Sequence, residues 1–331
     1  MKLQKKYWGL ALLTFVGVAI SSCIKDEGQP VCDESDELAN VTLTFDTRVE
    51  EGSFDENENI KTLRILVVDQ ETGNLDICQR IDNVGNGNPI TLHMGLPEGS
   101  TKKRFYAIAN EASVGLKDTD FPTVGKLPAD WQTVLNKHVD EEGKYFSRTS
   151  VDIVESGLPI TGFKDAIISN GANISIPITF AVSKVKLIVE NNKSNPETVR
   201  GIRFDQVEPD GGTYLFQSDE IPEGRGSVSL SDINVPANGE AAAMFYTYEN
   251  QESSQGGYSF SLTIGTETKT INFDDISFTD ENGIPKQITS LPRGQQLNIK
   301  VILKESAIDD LELIFDVQPW GVKDITIPPF Q

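Results

Sequence analysis

The sequence predicts an all-β chain with minor helix, built as β-sandwich domains in series. Three observations carry this. Apolar residues recur with period two over most of the chain, the spacing that lines one face of a strand. The runs are short and punctuated by Gly, Asn, Asp and Pro, a pattern that suits sandwiches. The alternation from Ile174 to Val189 runs much longer than a typical strand of about 5–6 residues, so it reads as two successive strands. One closes a first domain and the other opens a second, which divides the folded part into residues 40–180 and 181–331. No short-period repeat marks a solenoid or a propeller.

In chain order, Lys2, Lys5 and Lys6 precede an apolar run from Tyr7 to Ile20. That run is too short for a bilayer, which takes about 20 apolar residues. With small residues behind it, it reads as a secretory signal over 1–22. Ile20-Ser21-Ser22-Cys23 resembles the lipobox of bacterial lipoproteins, which implies cleavage before Cys23 and a diacyl lipid on its thiol. Residues 23–39 are acidic and aperiodic, with Gly28 and Pro30, and read as a tether. Within them Lys25-Asp26-Glu27 resembles the acidic signal of surface-exposed Bacteroidetes lipoproteins.

Val41, Leu43 and Phe45 alternate with Thr42, Thr44 and Asp46 and predict a first strand over 40–47. Leu63 to Val68 reads as a strand buried on both faces, ending in the turn Asp69 to Asn74. Phe105–Ala109, Ile174–Phe180 and Val185–Val189 continue the pattern. Further strands are expected at 201–207, 213–217, 242–248, 258–264, 270–274, 297–303, 311–317 and 322–327. Trp131, Val134 and Leu135 share a helical face, with Pro128 suited to a first turn, and predict one helix over 128–138.

Composition narrows the function. The 331 residues carry a formal net charge of −21, which repels nucleic acid and anionic membrane surfaces. Neither His93 nor His138 lies near Cys or carboxylates at metal-ligand spacing. No nucleophile elbow or phosphate loop is present, and no cofactor motif. Asp55, Asn57 and Asn59 imitate the start of a calcium loop, but Ile60 replaces the glycine and Leu66 the closing acid. Carboxylate pairs are expected by chance in so acidic a chain and say nothing of glycosidase chemistry. The chain therefore reads as a non-enzyme. Once Trp8 leaves with the signal, Trp131 and Trp320 are the two indoles that could stack on a glycan, and each reads first as a core or semi-core residue.

Several segments together resemble the fimbrillins of Bacteroidales, the lipoprotein-precursor subunits of type V pili. They are Leu63–Asp69 with Thr72-Gly73-Asn74-Leu75, Phe105–Asn110, Leu158-Pro159-Ile160-Thr161-Gly162, and Ala181-Val182-Ser183-Lys184-Val185. Phe245–Asn250 and Val317-Gln318-Pro319-Trp320 complete the set, so the likeness spans nearly the whole chain. The chain departs from the family at Ile160, where Met is frequent, and at Phe180, where Arg is frequent.

The resemblance implies two transthyretin-like β-sandwich domains in series and a structural role in a surface fimbrium at the outer membrane. It also implies a mechanism. An Arg-specific protease cuts after the first strand, here between Arg48 and Val49, and the lipid on Cys23 leaves with that strand. The C-terminal strand of a neighbouring subunit then fills the groove. Leu311, Leu313, Phe315 and Val317 alternate in the expected donor at 311–317, and 322–327 is a second donor candidate ahead of Pro328-Pro329. The expected partners are other fimbrial subunits, the outer membrane through Cys23, and the protease.

Two other readings compete with this stalk-type subunit. The Cys23 and Cys32 pair near the N terminus resembles the anchor subfamily, which keeps its lipid and first strand. A disulfide between Cys32 and Cys78 would tie that strand to the body even after a cut at Arg48. A surface glycan-binding lipoprotein of the starch-utilisation type is the reading from another class.

Overall fold

The computed structural model describes residues 38–47, 60–82, 84, 92–97, 102–131, 157–210, 214–275, 278–279, 285–304 and 312–319. The first half contributes β1 (Leu38–Thr47), β2 (Thr62–Asp69), β3 (Asn74–Asp82), β4 (Leu92–Pro97), β5 (Lys102–Ala109), β6 (Gly125–Lys126), β7 (Ile160–Ile167) and β8 (Ala172–Phe180). They hydrogen-bond in the order β4-β1-β8-β7-β5-β2-β3-β6. β8 pairs with β1 from Ala172 to Ile178 but with β7 only through Thr179 and Phe180, so the sheet folds over at that strand. Gly162 permits the fold: a Cβ there would sit 1.9 Å from the Pro177 carbonyl oxygen, and only glycine lets two backbones approach so closely. Val41, Leu43, Phe45, Ile174, Ile176 and Ile178 from one layer meet Leu63, Ile65, Val67, Phe105 and Ala107 from the other in one core.

β2 is buried on both faces, as its continuous pattern predicts, but its second face carries a charge. Arg64 Nε and Nη2 each donate to the Glu111 carboxylate at 2.8 Å. The guanidinium lies 3.9 Å from the centre of the Phe121 ring, which packs on Trp131 at 5.0 Å. Glu111 and Phe121 belong to a segment of two 3-10 turns, Glu111–Val114 and Asp118–Asp120, that covers this face. Trp131 is 3% exposed, and its Nε1 donates to the Asp120 carbonyl. Of the helix expected at 128–138, the described residues hold one turn over 129–131, and the rest lies outside them.

The β2–β3 turn is closed by Asp69. Its Oδ1 accepts from the backbone N–H groups of Glu71 and Thr72 at 2.9 and 2.8 Å, and Gly73 takes the positive φ of 72° that the turn requires. Across the sheet, buried Lys103 places Nζ 2.7 Å from Asp69 Oδ2 and 2.6 Å from Asp76 Oδ2. Burial alone would raise the Asp69 carboxyl. The Lys103 ammonium and the two N–H donors outweigh it and hold the carboxyl at about 2.

The second half contributes β9 (Val182–Asn191), β10 (Glu197–Pro209), β11 (Gly224–Ser229), β12 (Ile233–Val235), β13 (Gly239–Tyr248), β14 (Asn250–Gln251), β15 (Ser259–Ile264) and β16 (Glu267–Asn272). It ends with β17 (Phe278–Thr279), β18 (Pro285–Lys286), β19 (Ser290–Leu291), β20 (Gln295–Leu303) and β21 (Glu312–Pro319). One sheet runs β13-β9-β20-β21, and the facing sheet runs β11-β10-β15-β16 with β12 also on β10. Leu187, Val189, Phe245, Ile299, Val301 and Phe315 from the first pack with Phe204, Phe260 and Leu262 from the second and with Tyr258 and Phe273 at its strand ends. The chain is thus all-β, with two sandwiches. Ala181 alone separates β8 from β9, which lie in different sheets.

Two expectations need correction, and some strands were not expected at all. Of the strand expected at 213–217, the described residues 214–217 form none: Tyr214, Leu215 and Phe216 are buried in irregular backbone. They serve the junction instead. Phe216 packs on Tyr106 at 5.0 Å, and the Leu215 carbonyl accepts from Thr161 Oγ1 at 2.7 Å and Arg293 Nη1 at 3.3 Å. Arg293, itself buried, also bonds the Tyr214 carbonyl and Glu249. Apolar alternation here reflects a plug between the halves, which period alone does not separate from a strand. The strand expected at 270–274 ends at Asn272, because Phe273–Asp275 turns into a 3-10 helix that puts Phe273 in the core. Finally, β3, β4, β7, β11 and β12 were not foreseen, since each mixes polar residues or glycine into its pattern.

Two outcomes are expected. Phe216→Ala should destabilise the chain by about 3–5 kcal/mol in urea unfolding; a loss under about 1 kcal/mol would mean that the plug is not structural. The depressed Asp69 carboxyl makes a contribution that is complete above the ordinary range near 3.8 and fades as pH falls towards 2. Asp69→Asn should therefore cost about 2 kcal/mol at pH 7 and remove that much of the acid sensitivity, as unfolding series at stepped pH would report.

Candidate functional site

β1 is an inner strand. It pairs antiparallel with β4, from Leu38 opposite Pro97 to Leu43 opposite Leu92, and parallel with β8, from Val41 beside Ala172 to Thr47 beside Ile178. Val41, Leu43 and Phe45 are at most 2% exposed. Among the described residues β4 pairs with no strand but β1. Loss of β1 would therefore strip one edge of β8, release β4 from its ladder and open three apolar sockets in the first core. At about 1.5–3 kcal/mol for each buried side chain, those sockets represent roughly 4–9 kcal/mol of burial, besides two rows of unpaired backbone groups.

β21 lies at the far edge of the second sandwich, antiparallel to β20 from Glu312 opposite Ile302 to Pro319 opposite Gln295. Phe315 is buried at 7% exposure and meets Phe273 edge-on, with ring centres 5.4 Å apart. Leu313 and Val317 are half-buried against the same core. Leu313, Phe315 and Val317 repeat the i, i+2, i+4 spacing of Val41, Leu43 and Phe45. In this structure they occupy their own domain.

Cys23, Cys32, Arg48, Val49, Leu311, Trp320 and residues 322–327 lie outside the described residues, as do Asp55, Asn57, Asn59 and His138. His93 is within β4, opposite Thr42 of β1. Cys78 sits on β3 with a half-buried, free thiol. Burial pushes that thiol up, against the pull of Arg64 beside it. Among the described residues no group of three His, Cys, Asp or Glu could hold a metal ion. Trp131, buried under Phe121, offers no exposed indole platform to a glycan.

β4 is the part of the site that sequence reasoning missed. Leu92, Met94 and Leu96 do alternate, but Gly95 and Pro97 and the Gly/Asn-rich stretch before them interrupt the pattern. The register that brings β4 to β1 is a long-range pairing that local pattern does not carry.

Residues 31–326 match the family model of fimbrillin-A associated anchor proteins, Mfa1 and Mfa2. Among solved structures, the C-terminally truncated tip fimbrial protein Mfa3 of Porphyromonas gingivalis aligns over 86% of this chain and 100% of its own, at 14% identity and a TM-score of 0.58. Two proteins described as candidates for cell adhesion show the same fold. The one from Parabacteroides distasonis covers 88% of this chain and 98% of its own, at 11% identity and a TM-score of 0.53. The one from Bacteroides eggerthii covers 86% and 97%, at 13% identity and a TM-score of 0.50. No curated protein sequence matches. The match over most of the chain decides the matter: this protein belongs to the family of fimbrillin-A associated proteins, and is a fimbrial subunit of the type V pilus kind, not an enzyme.

Proposed function

We propose that this chain is a stalk-type subunit that polymerises by protease-triggered strand exchange. The observation that carries the reading is the position of β1: an inner strand at the chain's N-terminal end, fully buried on its apolar side, with Arg48 and the polar residues 49–59 directly after it. A cut between Arg48 and Val49 severs β1 from the rest of the chain. The lipid on Cys23 then serves export to the outer membrane and leaves with β1. The vacated groove takes an apolar alternating strand from a neighbouring subunit, by β-strand addition.

The donor comes from the C-terminal region. β21 has matching spacing, but donation from it would sacrifice its ladder with β20 and the contacts of Phe315 with Phe273. Donation by residues 322–327 leaves both intact. A donor beyond Pro319 is therefore favoured over Leu311–Val317.

The matched family is described by its anchors, and this favours a second reading. An anchor keeps β1 and the lipid on Cys23, and a Cys32–Cys78 disulfide would hold β1 in place after any cut. That bond needs a disulfide donor to take its two electrons, and the raised thiol of Cys78, with little thiolate, makes the exchange slow.

The N-terminal residue and mass of the protein on intact cells separate the two. The stalk reading expects a chain that begins at Val49, and expects Arg48→Ala to retain acylated Cys23 and lose polymer at least about tenfold, a shift of ~1.4 kcal/mol or more in apparent assembly. Wild-type protein that keeps acylated Cys23 within assembled fimbriae establishes the anchor instead. For the donor, a peptide spanning 319–331 is expected to bind the cleaved subunit more tightly than one spanning 310–319; the reverse order assigns donation to β21.

A further inference from the structure

Strands β13, β21, β11, β12 and β16 end the two sheets of the second sandwich among the described residues. An open strand edge is a template for another chain, and proteins blunt such edges with charge, proline, bulges or brevity. Four of these five are blunted. β12 is three residues long. β16 is six residues long and carries Glu267 and Lys269. β11 meets β10 through two register shifts. β21 carries Glu312 and Asp316 and ends in Pro319.

β13 is different. It pairs with β9 over ten consecutive residues with no register shift. From Glu240 to Phe245 it has no proline and one charge, Glu240. Among the described residues no backbone hydrogen bond outside the β9 ladder reaches 240–245. Ala241 and Ala243 turn towards the core, while Ala242 and Met244 are exposed, Met244 at 44%. Small side chains along the edge leave the backbone open to approach.

The charges beside this edge select its occupant. At one end Glu240 lies next to Glu190 of β9, which is bridged to Lys300; at the other, Met244 lies next to Lys186. The acidic end of one strand thus complements the basic end of an antiparallel copy. We propose that β13 pairs with β13 of a second copy of this chain, antiparallel and centred on Ala242. In that register Ala242 meets its own counterpart, Glu240 comes opposite Met244 of the second copy, and Lys186 of that copy lies one strand further on the same face. Two four-stranded sheets become one of eight strands, and both Met244 side chains are covered. This pairing is separate from strand exchange at β1 and needs neither cleavage nor lipid.

Sedimentation equilibrium tests it on the exported chain carrying Cys23→Ser, in reducing buffer at about 0.15 M salt. A monomer–dimer equilibrium is expected. Ala242→Lys sets two ammonium groups opposite each other at the axis, where like charges repel. It should raise the dissociation constant at least about tenfold. Ala242→Val should leave the constant unchanged or lower it, and Thr268→Lys, on the β16 edge, should leave it unchanged. Met244→Glu provides a second disruption, because it sets a carboxylate opposite Glu240 of the second copy, and an unaltered unfolding midpoint in either variant verifies its fold. A chain with β13 unaltered that stays monomeric up to about millimolar concentration overturns the proposal. So does a dimer indifferent to both Ala242→Lys and Met244→Glu.

Discussion

The ladder between β1 and β8 governs the first sandwich. It is parallel, so it joins strands that are far apart in sequence, and no tight turn could make it. β8 faces two ways: its first seven residues pair with β1 and its last two with β7. β1 in turn carries β4 on its other side. Val41, Leu43 and Phe45 fill the space that this folding-over encloses. One ten-residue segment at the N-terminal end of the fold thus supplies two ladders and three core side chains.

The second requirement on a fibre subunit is that its halves transmit force without hinging. Ala181 is the sole residue between β8 and β9, and side chains bind around it. The Gly294 N–H donates to the Val182 carbonyl at 2.9 Å, and Ser183 Oγ donates to the Pro292 carbonyl at 2.6 Å. Arg293 and Thr161 converge on the Leu215 carbonyl from opposite halves. Tyr246 and Tyr248, though carried by the second sandwich, are buried with the first core. The Arg293, Thr161 and Ser183 side chains and the carbonyls they reach are paired within the junction, so burial does not leave them orphaned. Removal of Glu249 or Arg293 would strand a buried charge, which is costly in a way that loss of a surface pair is not.

The all-β class and the inner strands were legible because their residues alternate without interruption. Val41–Phe45, Ile174–Phe180 and Val185–Val189 carry their burial pattern openly, and Leu63–Val68 is buried on both faces as its continuity implies. The sequence was opaque where burial is achieved by other means. Tyr214–Phe216 is apolar because it plugs a junction, and its backbone bonds go to side chains, not to a ladder. Arg64 and Lys103 carry charge on strands, yet each is buried against carboxylates distant in sequence, which local pattern does not show. β4 was hidden because its partner, β1, lies about fifty residues earlier. Of the site, the strand and its apolar residues were visible; the ladders that make β1 an inner strand were not.

The edges of the molecule divide by the same physics. Where a strand end is not meant to pair, the chain places Lys269, a register shift or Pro319 against it. The unguarded edge of β13 cannot be explained by core packing, since Ala242 and Met244 face solvent and contribute nothing to either core. A net charge of −21 spreads repulsion over the whole surface, which protects against unspecific association but only within about a Debye length, ~8 Å at physiological salt. An edge contact acts at hydrogen-bond distance, inside that range, so the overall charge weakens it without forbidding it. In a fibre, where each subunit repeats the same edge, even a weak pairing would be multiplied by avidity. An edge left open in a sandwich that guards its others is therefore best understood as a surface kept for contact between subunits.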